Sequence, residues 1–200
     1  MMSGAFIVFE GADGAGKSTV CKRVFDALTS KGIEAVVTAE PTHTKVGAFI
    51  RSGAAGGISQ RTEALLFVAD RNDHTEWIDE EVSRGKIVLC DRYFASTVAY
   101  QSARLDGDST DRDWLIRINE QFIGKPDATI LVDIDPRVGM SRVGTRGEEI
   151  SKFEKLDFQD QVRSNYLDLA KSYGFKVVDG SRTADEVFED VVKIVEEVIE

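Results

Sequence analysis

The chain has 200 residues and a formal net charge of −10, and its length suits one domain that can bury a sizeable core. The acidic balance argues against a protein that coats nucleic acid, because basic surfaces hold phosphate backbones, but it allows a small phosphorylated ligand in a cleft. No apolar run approaches the roughly 20 residues of a membrane span, no signal peptide is visible, and two cysteines do not suggest a disulfide framework. These features predict a cytoplasmic protein without a nucleic-acid or membrane partner.

Short β-rich apolar segments alternate with helical patterns along the chain. After the first segment, Val20, Val24 and Leu28 share one stripe of a predicted helix that begins at Lys17 and stops near Gly32. Runs that are apolar on both faces and separated by helices are typical of central strands in a parallel sheet. The predicted strands are 5–10, 35–38, 86–90, 128–134 and 175–178. We therefore expect one α/β domain over residues 1–200, with a five-stranded parallel sheet between two layers of helices.

Three further segments complete the pattern. The Gly-rich residues 52–59 predict a surface loop within the domain. Residues 142–158 are polar and charged and precede a later helix, which is typical of a lid over a site. The C-terminal residues 184–200 repeat apolar side chains at helical spacing, with Asp and Glu on the solvent face.

The first strand runs directly into the sequence GADGAGKST, residues 11–19. Its spacing matches G-x-x-x-x-G-K-[ST], the phosphate loop (P-loop), in which glycines let successive backbone N–H groups converge on phosphate oxygens at a helix N-terminus. In such a loop Lys17 reaches the β- and γ-phosphates, and the Ser18 hydroxyl is a Mg²⁺ ligand. The motif therefore predicts a nucleoside triphosphate site formed by Gly11, Ala12, Asp13, Gly14, Ala15, Gly16, Lys17, Ser18 and Thr19.

The third predicted strand ends in an adjacent carboxylate and guanidinium, Asp91 and Arg92. Taken alone, the pair is typical of a surface ion pair that caps an element. Ligands of open parallel sheets bind beyond the carboxyl ends of the strands, where the phosphate loop also lies. In that setting Asp91 is placed to hold a Mg²⁺-bound water, and Arg92 can bind a phosphate through two parallel hydrogen bonds.

The loops of the chain are rich in arginine, whereas the N-K-x-D segment with which switch GTPases read guanine is absent. Several separated arginines that converge on one cleft suit two phosphorylated ligands, a donor and an acceptor. The arginines concerned are Arg51, Arg71, Arg92, Arg142 and Arg146.

The whole chain resembles the thymidylate kinase (dTMP kinase) family in six blocks: FIVFEGADGAGKST, EPTHTKVGAFIRSG, LLFVADRNDH, CDRYFASTVAYQSAR, VDIDPRVGMSRVGTRGE and VRSNYLDLA. The resemblance implies a phosphate-loop kinase with a lid that converts ATP and dTMP to ADP and dTDP with Mg²⁺, and a homodimer.

For the dTMP phosphate and sugar, the resemblance implies roles for four acidic and basic side chains. Asp13 approaches the sugar and phosphate, and Glu40, followed by Pro41, shapes the acceptor side. Arg51 and Arg92 hold the phosphate.

For the pyrimidine and the 2′ position, the implied contacts come from two later segments. Phe67 stacks on thymine and Arg71 donates to a thymine carbonyl; without the resemblance, the apolar helix face around Phe67 favours a core residue. Ser96 and Thr97 are counted with the dTMP-binding residues, Thr97 against the pyrimidine edge, and Tyr100 packs near C2′.

The predicted lid supplies the remaining cations. Some relatives carry an arginine in the phosphate loop, where this chain has Ala15, so the lid is expected to provide it. By resemblance Arg142 flanks adenine and the ATP phosphates, and Arg146 faces the transferring group. Gly144 stands where such lids sometimes have another arginine, which leaves the division of roles open. The predicted catalytic residues are Asp13, Lys17, Arg92 and Arg146.

Two alternatives remain from the sequence. One is a related kinase that acts on another nucleotide or on a deoxynucleoside. A deoxynucleoside acceptor would lack the phosphate that Arg51 and Arg92 are expected to hold. The other is an ATP-dependent interaction protein, in which hydrolysis would not respond to nucleoside monophosphates.

Overall fold

The computed structural model describes residues 3–53, 57–103, 111–143 and 149–200, with side chains from residue 156 onward in the last range. Strands and helices alternate along the chain. The strands are β1 (Ala5–Glu10), β2 (Ala35–Ala39), β3 (Ile87–Asp91), β4 (Ala128–Asp133) and β5 (Lys176–Asp179). The helices are α1 (Lys17–Ser30), α2 (Lys45–Arg51), α3 (Gln60–Ser83), α4 (Phe94–Gln101), α5 (Arg112–Asn119), α6 (Pro136–Val143), α7 (Glu149–Tyr173) and α8 (Ala184–Ile199).

The five strands form one parallel sheet in the order β2-β3-β1-β4-β5. The central strand β1 is buried along its whole length, which explains why its residues are apolar on both faces. Parallel neighbours place their carboxyl ends at the same edge. The loops after β1, β3 and β4 therefore emerge side by side, and these loops carry the phosphate-loop motif, Arg92 and the segment leading to α6.

Two hydrophobic cores lie on opposite faces of the sheet. Ile7 and Phe9 of β1 face the core formed with α1 and α8, whereas Phe6 and Val8 face the core formed with α3, α4, α5 and α7. This alternation follows from the two-residue period of a strand. The predicted five-stranded α/β sheet with helices on both faces is confirmed.

The boundaries differ from the prediction mainly in the lid segment. Residues 142–143 end α6, residues 144–148 lie outside the described part of the chain, and α7 already begins at Glu149. The last ten residues assigned to the lid, 149–158, are therefore helical. No helix among the described residues is both long and apolar enough to cross a membrane.

Candidate active site

The phosphate loop joins β1 to α1 through glycines with left-handed backbone. Gly14 has φ 79° and Gly16, at the N-terminus of α1, has φ 92°. A Cβ at Gly14 would lie 2.2 Å from the carbonyl oxygen of Gly139 in α6, and a Cβ at Gly139 would lie 2.5 Å from the carbonyl oxygen of Asp13. Glycine at both positions therefore lets the loop and α6 meet backbone against backbone.

Lys17, the lysine of the motif, is 6% exposed at the first position of α1. Burial lowers its pKa and Arg92 lowers it further, while Asp91, Asp13 and Glu10 act in the opposite direction. The ammonium group is thus poorly solvated in the free protein. Such a group gains much from an anionic phosphate that replaces the missing water.

Ser18 and Asp91 form the part of the site that suits a metal ion. The Ser18 hydroxyl donates a hydrogen bond to Asp91 Oδ2. The other carboxylate oxygen, Oδ1, is buried and has no hydrogen-bond partner among the described residues. A hydroxyl beside an unsatisfied carboxylate oxygen, next to a phosphate loop, fits Mg²⁺, which prefers oxygen ligands and keeps several waters.

Arg92 leaves the end of β3 with φ 73°, the left-handed region that a residue with a Cβ rarely adopts. Its backbone N–H donates to Phe9 in β1, 2.9 Å away. Its guanidinium binds Asp13 of the phosphate loop and lies 5.1 Å from the centre of the Tyr100 ring. Arg92 therefore pairs across the cleft rather than with Asp91, and the surface ion-pair interpretation is not what the structure contains.

A cavity of about 270 Å³ opens beside Arg92. All residues predicted for dTMP except Arg51 line it: Asp13, Glu40, Phe67, Arg71, Arg92, Ser96, Thr97 and Tyr100. Phe67 is half-buried at the cavity and belongs to neither hydrophobic core, so the core interpretation does not hold for it. The buried Tyr100 hydroxyl has no hydrogen-bond partner among the described residues.

Arg71 forms the floor of this cavity and is 1% exposed. Its Nε and Nη2 donate to Glu40 Oε2 at 2.9 and 2.6 Å, Nη2 also donates to Thr97 Oγ1 at 2.9 Å, and Nη1 donates to Asn119 Oδ1. A guanidinium has five N–H bonds. The internal partners use all but one, so Arg71 can give a ligand a single hydrogen bond.

Glu40 has a second partner, His74, whose Nδ1 lies 3.0 Å from Glu40 Oε1. The other ring nitrogen contacts the Thr38 hydroxyl at 2.7 Å. No pattern in the sequence predicts a role for His74 or Asn119. Nothing near either residue in the sequence indicates the partner, because the contacts form only when α3, α5 and the end of β2 pack together.

A second buried group that the sequence analysis missed is Glu10, the last residue of β1, which is 0% exposed. Its carboxylate accepts from the Tyr93 and Ser96 backbone N–H groups, from the Ser96 hydroxyl at 2.6 Å and from the Tyr166 hydroxyl at 3.1 Å. Burial raises the pKa of Glu10, against the effects of Ser96 and Arg92. Glu10 thus fixes the first turn of α4 beneath Arg92.

The remaining predicted residues lie outside the 270 Å³ cavity. Arg51 is exposed at the end of α2, where its Nε donates to the Pro41 and Thr42 carbonyls at 2.7 and 3.2 Å. Arg142 is exposed and donates to Gly180 at 3.1 Å and Gly14 at 3.4 Å. Arg146 lies outside the described residues.

Arg142 belongs to another cavity of about 350 Å³ on the opposite side of the phosphate loop. Ala15, Gly16 and Thr19 line it together with residues of the β5–α8 connection, including Gly180. Residues of the phosphate loop thus line both cavities, Asp13 in one and Ala15, Gly16 and Thr19 in the other. This arrangement defines a nucleotide-binding phosphotransferase of the phosphate-loop class.

Comparison with known proteins narrows that class. Residues 9–191 match the family model described as "Thymidylate kinase". The chain is 39% identical to the "Probable thymidylate kinase" of Pyrococcus horikoshii over 97% of both chains. It is 37% identical to the "Thymidylate kinase" of Ruegeria pomeroyi, covering 96% of this chain and 95% of that one. The chain therefore belongs to the thymidylate kinase family.

Proposed function

We propose that the chain transfers the γ-phosphoryl group of ATP to the phosphate of dTMP, giving dTDP and ADP, with Mg²⁺ bound to the donor. One observation carries the proposal: Arg92 contacts Asp13 of the phosphate loop and lines the cavity that contains the residues expected to bind dTMP. A guanidinium in that position can hold an acceptor phosphate against a donor bound in the loop.

On the donor side, we assign the ATP phosphates to the backbone N–H groups of residues 11–19 and to Lys17. Ser18 and Asp91 would hold Mg²⁺, which neutralises phosphate charge when it is bound. The 350 Å³ cavity would receive the adenosine part, with Arg142 beside the base. Backbone groups supply most of these contacts, so the donor site depends little on side-chain identity.

On the acceptor side, Phe67 would stack on the pyrimidine, and the one unused N–H of Arg71 would donate to a base carbonyl, near Thr97. Arg92, with Arg51, would bind the monophosphate, and Asp13 would orient the sugar. Tyr100 would lie near C2′. Exclusion of one hydroxyl by such packing is limited to roughly 10²-fold.

Phosphoryl transfer passes through a loose transition state, so positioning and charge neutralisation supply most of the catalysis. The bond from the γ-phosphorus to the β,γ-bridging oxygen breaks as the dTMP phosphate oxygen bonds to that phosphorus, and ADP leaves with the electron pair. The attacking phosphate needs no general base. Lys17 stabilises the negative charge that develops on the transferring phosphoryl group. We assign Arg146 as the second cation that contacts this group, because Ala15 of the phosphate loop carries no charge.

The variant Arg146→Ala tests that assignment. We expect it to keep ATP binding and to lose most of its turnover, because a cation at the transferring group contributes on the order of 10³–10⁵ in rate. Turnover near that of the unsubstituted chain would place the cation elsewhere.

The direct test of the function is ADP release from ATP-Mg²⁺ with a panel of acceptors: dTMP, dUMP, UMP, AMP and thymidine. The proposal requires turnover with dTMP, with dUMP weaker because one methyl contributes about 1–3 kcal/mol. Turnover with thymidine instead would favour the deoxynucleoside kinase. Hydrolysis that ignores every acceptor would favour the nucleotide-dependent interaction protein.

We also propose that the chain works as one thymidylate-kinase-like domain with a lid, as a homodimer, in the cytoplasm. The family resemblance supports these assignments. Sedimentation velocity of the purified chain tests the dimer, and a monomer at micromolar concentration would refute it.

A further inference from the structure

Asp70 in α3 is a buried carboxylate that the site described above does not use. It is 1% exposed, and it accepts from the Thr42 backbone N–H at 2.7 Å, the Thr42 hydroxyl at 2.5 Å and the Thr44 hydroxyl at 3.0 Å. A carboxylate buried to this degree is stable only when hydrogen bonds replace its water. All its partners lie in one short loop, so Asp70 determines where that loop runs.

The loop leads into α2 and fixes its start. The Thr44 side chain is the N-terminal cap of α2 and accepts from Gly47 N at 3.5 Å. A Cβ at Gly47 would lie 2.1 Å from the Thr42 carbonyl oxygen, so the first turn of α2 packs directly on the loop backbone. The position of α2 therefore depends on the segment that Asp70 holds.

The side chain of Arg51, at the other end of α2, contacts the same loop. Its Nε is held by the Pro41 and Thr42 carbonyls, whereas its terminal nitrogens have no hydrogen-bond partner among the described residues. Pro41 also lines the 270 Å³ cavity. The guanidinium is thus attached to a loop that Asp70 anchors and whose Pro41 lines the acceptor-side cavity.

Arg71, the residue next to Asp70, binds the other side of the same loop. Arg71 binds Glu40, which precedes Pro41, while Asp70 binds Thr42, which follows it. Adjacent residues of one helix therefore hold both flanks of Pro41. Arg71 contributes to the cavity floor, whereas Asp70 does not line the cavity.

We infer that Asp70 is a positioning residue for the acceptor phosphate: through Thr42, Thr44 and α2 it holds the guanidinium of Arg51 where that phosphate binds. It does so without touching the substrate. The inference rests on the proposed function, since it takes Arg51 to be a ligand of the dTMP phosphate. The inference goes beyond the proposed function because it assigns to Asp70 an effect on acceptor binding that is separate from donor binding.

The test is a double-mutant cycle in the full chain, with KM for dTMP, KM for ATP and kcat measured in each member. Asp70→Ala should raise KM for dTMP about tenfold, the scale of one charge-assisted hydrogen bond, and leave KM for ATP within about twofold. In an Arg51→Ala background the same substitution should change KM for dTMP less than about twofold, because the group it positions is gone. Asp70→Asn is the conservative rescue. Its amide oxygen can still accept from Thr42 N, and the threonine hydroxyls can accept from its NH₂ group.

Thr42→Val covers the possibility that Asp70→Ala folds poorly. It removes the bonds of the Thr42 hydroxyl to Asp70 and Thr44 but keeps the backbone bond to Asp70, so we expect a smaller rise in KM for dTMP, about threefold. Thr62→Val, at an exposed position in the first turn of α3, is the matched control and should leave both KM values unchanged.

The outcomes distinguish a failure of the proposed function from a failure of the positioning role of Asp70. A chain that does not phosphorylate dTMP refutes the proposed function. Turnover of dTMP with an unchanged KM in Arg51→Ala refutes only the positioning role, because no phosphate contact would remain to be positioned. Additive effects of Asp70→Ala and Arg51→Ala, or equal rises in both KM values, also overturn that role and make Asp70 a purely structural residue.

Discussion

The proposed donor and acceptor sides of the cleft are built in different ways. The donor side is a run of consecutive residues whose backbone curls around the expected phosphate position, with exposed Arg142 at its edge. The acceptor side is a network of buried side chains far apart in sequence: Arg71 meets Glu40 across 31 positions and Asn119 across 48. A backbone site tolerates variation in its side chains, whereas a buried network loses its geometry when one member changes. Selectivity should therefore reside on the acceptor side.

Within the phosphate loop, the largest effect should come from Lys17, whose charge the backbone N–H groups cannot replace. Lys17→Ala should lower kcat by about 10²–10³-fold while the fold persists, because a donor aimed at developing charge is lost. Lys22→Ala is the matched control one turn further along α1, where the lysine pairs with Asp26 at the surface. Steady-state kinetics check both variants, and similar kcat values for the two would contradict the assignment of Lys17.

On the acceptor side, function and stability should fall together. Arg71→Met leaves Glu40 buried without its main cation, and we expect the free energy of unfolding to drop by about 3 kcal/mol along with dTMP binding. Arg84→Ala, in the turn that ends α3, should change stability far less, since its pair with Glu80 is exposed to water and the buried Glu81 keeps Lys86 as a partner. Urea unfolding measures both changes. An equally stable Arg71→Met would show that the buried network contributes little to the fold.

Glu10, which supports Arg92 from below, predicts a dependence on pH. Burial raises its pKa above the ordinary value of 4.5. Above pH 4.5 the unfolded chain has lost this proton while the folded chain still holds part of it, so the group's contribution to stability falls as pH rises towards the folded pKa. Glu10→Gln removes this dependence. Its stability relative to the unsubstituted chain should therefore increase with pH, by at most about 1.4 kcal/mol per pH unit. Urea unfolding between pH 5 and 8 tests this, and a difference that is flat or falls with pH would contradict it.

The smallest expected effect concerns the backbone at Arg92. Arg92→Gly and Arg92→Ala both remove the guanidinium and should both lose most turnover. Because φ is 73°, the glycine variant should be more stable than the alanine variant by about 1 kcal/mol. Thermal or urea unfolding of the pair measures the difference. If alanine is as stable as glycine, the left-handed backbone at this position stores no strain.

The fold and the phosphate loop could be predicted from the sequence, whereas the buried contacts around the acceptor-side cavity could not, for a physical reason. Strand burial and the phosphate loop depend on neighbouring residues, so their patterns are visible locally, as at β1 and residues 11–19. Glu10 and Tyr166 are 156 positions apart, and no local pattern joins them. Arg71 was predicted through family resemblance as a ligand contact, yet its internal partners Glu40, Thr97 and Asn119 emerged only with the packing of the helices. The start of α7 was also missed, because its first turns are as polar as a loop.

The contact of Gly14 with α6 has a consequence for how this chain can be altered. The two backbones are too close for even one methyl group between them, so both Gly14 and Gly139 have to remain glycine although they lie in different halves of the sequence. Consider a chimera that joins the N-terminal half of this chain to the C-terminal half of a relative. Its phosphate loop would keep this backbone conformation only if the relative also has glycine at the position that corresponds to Gly139.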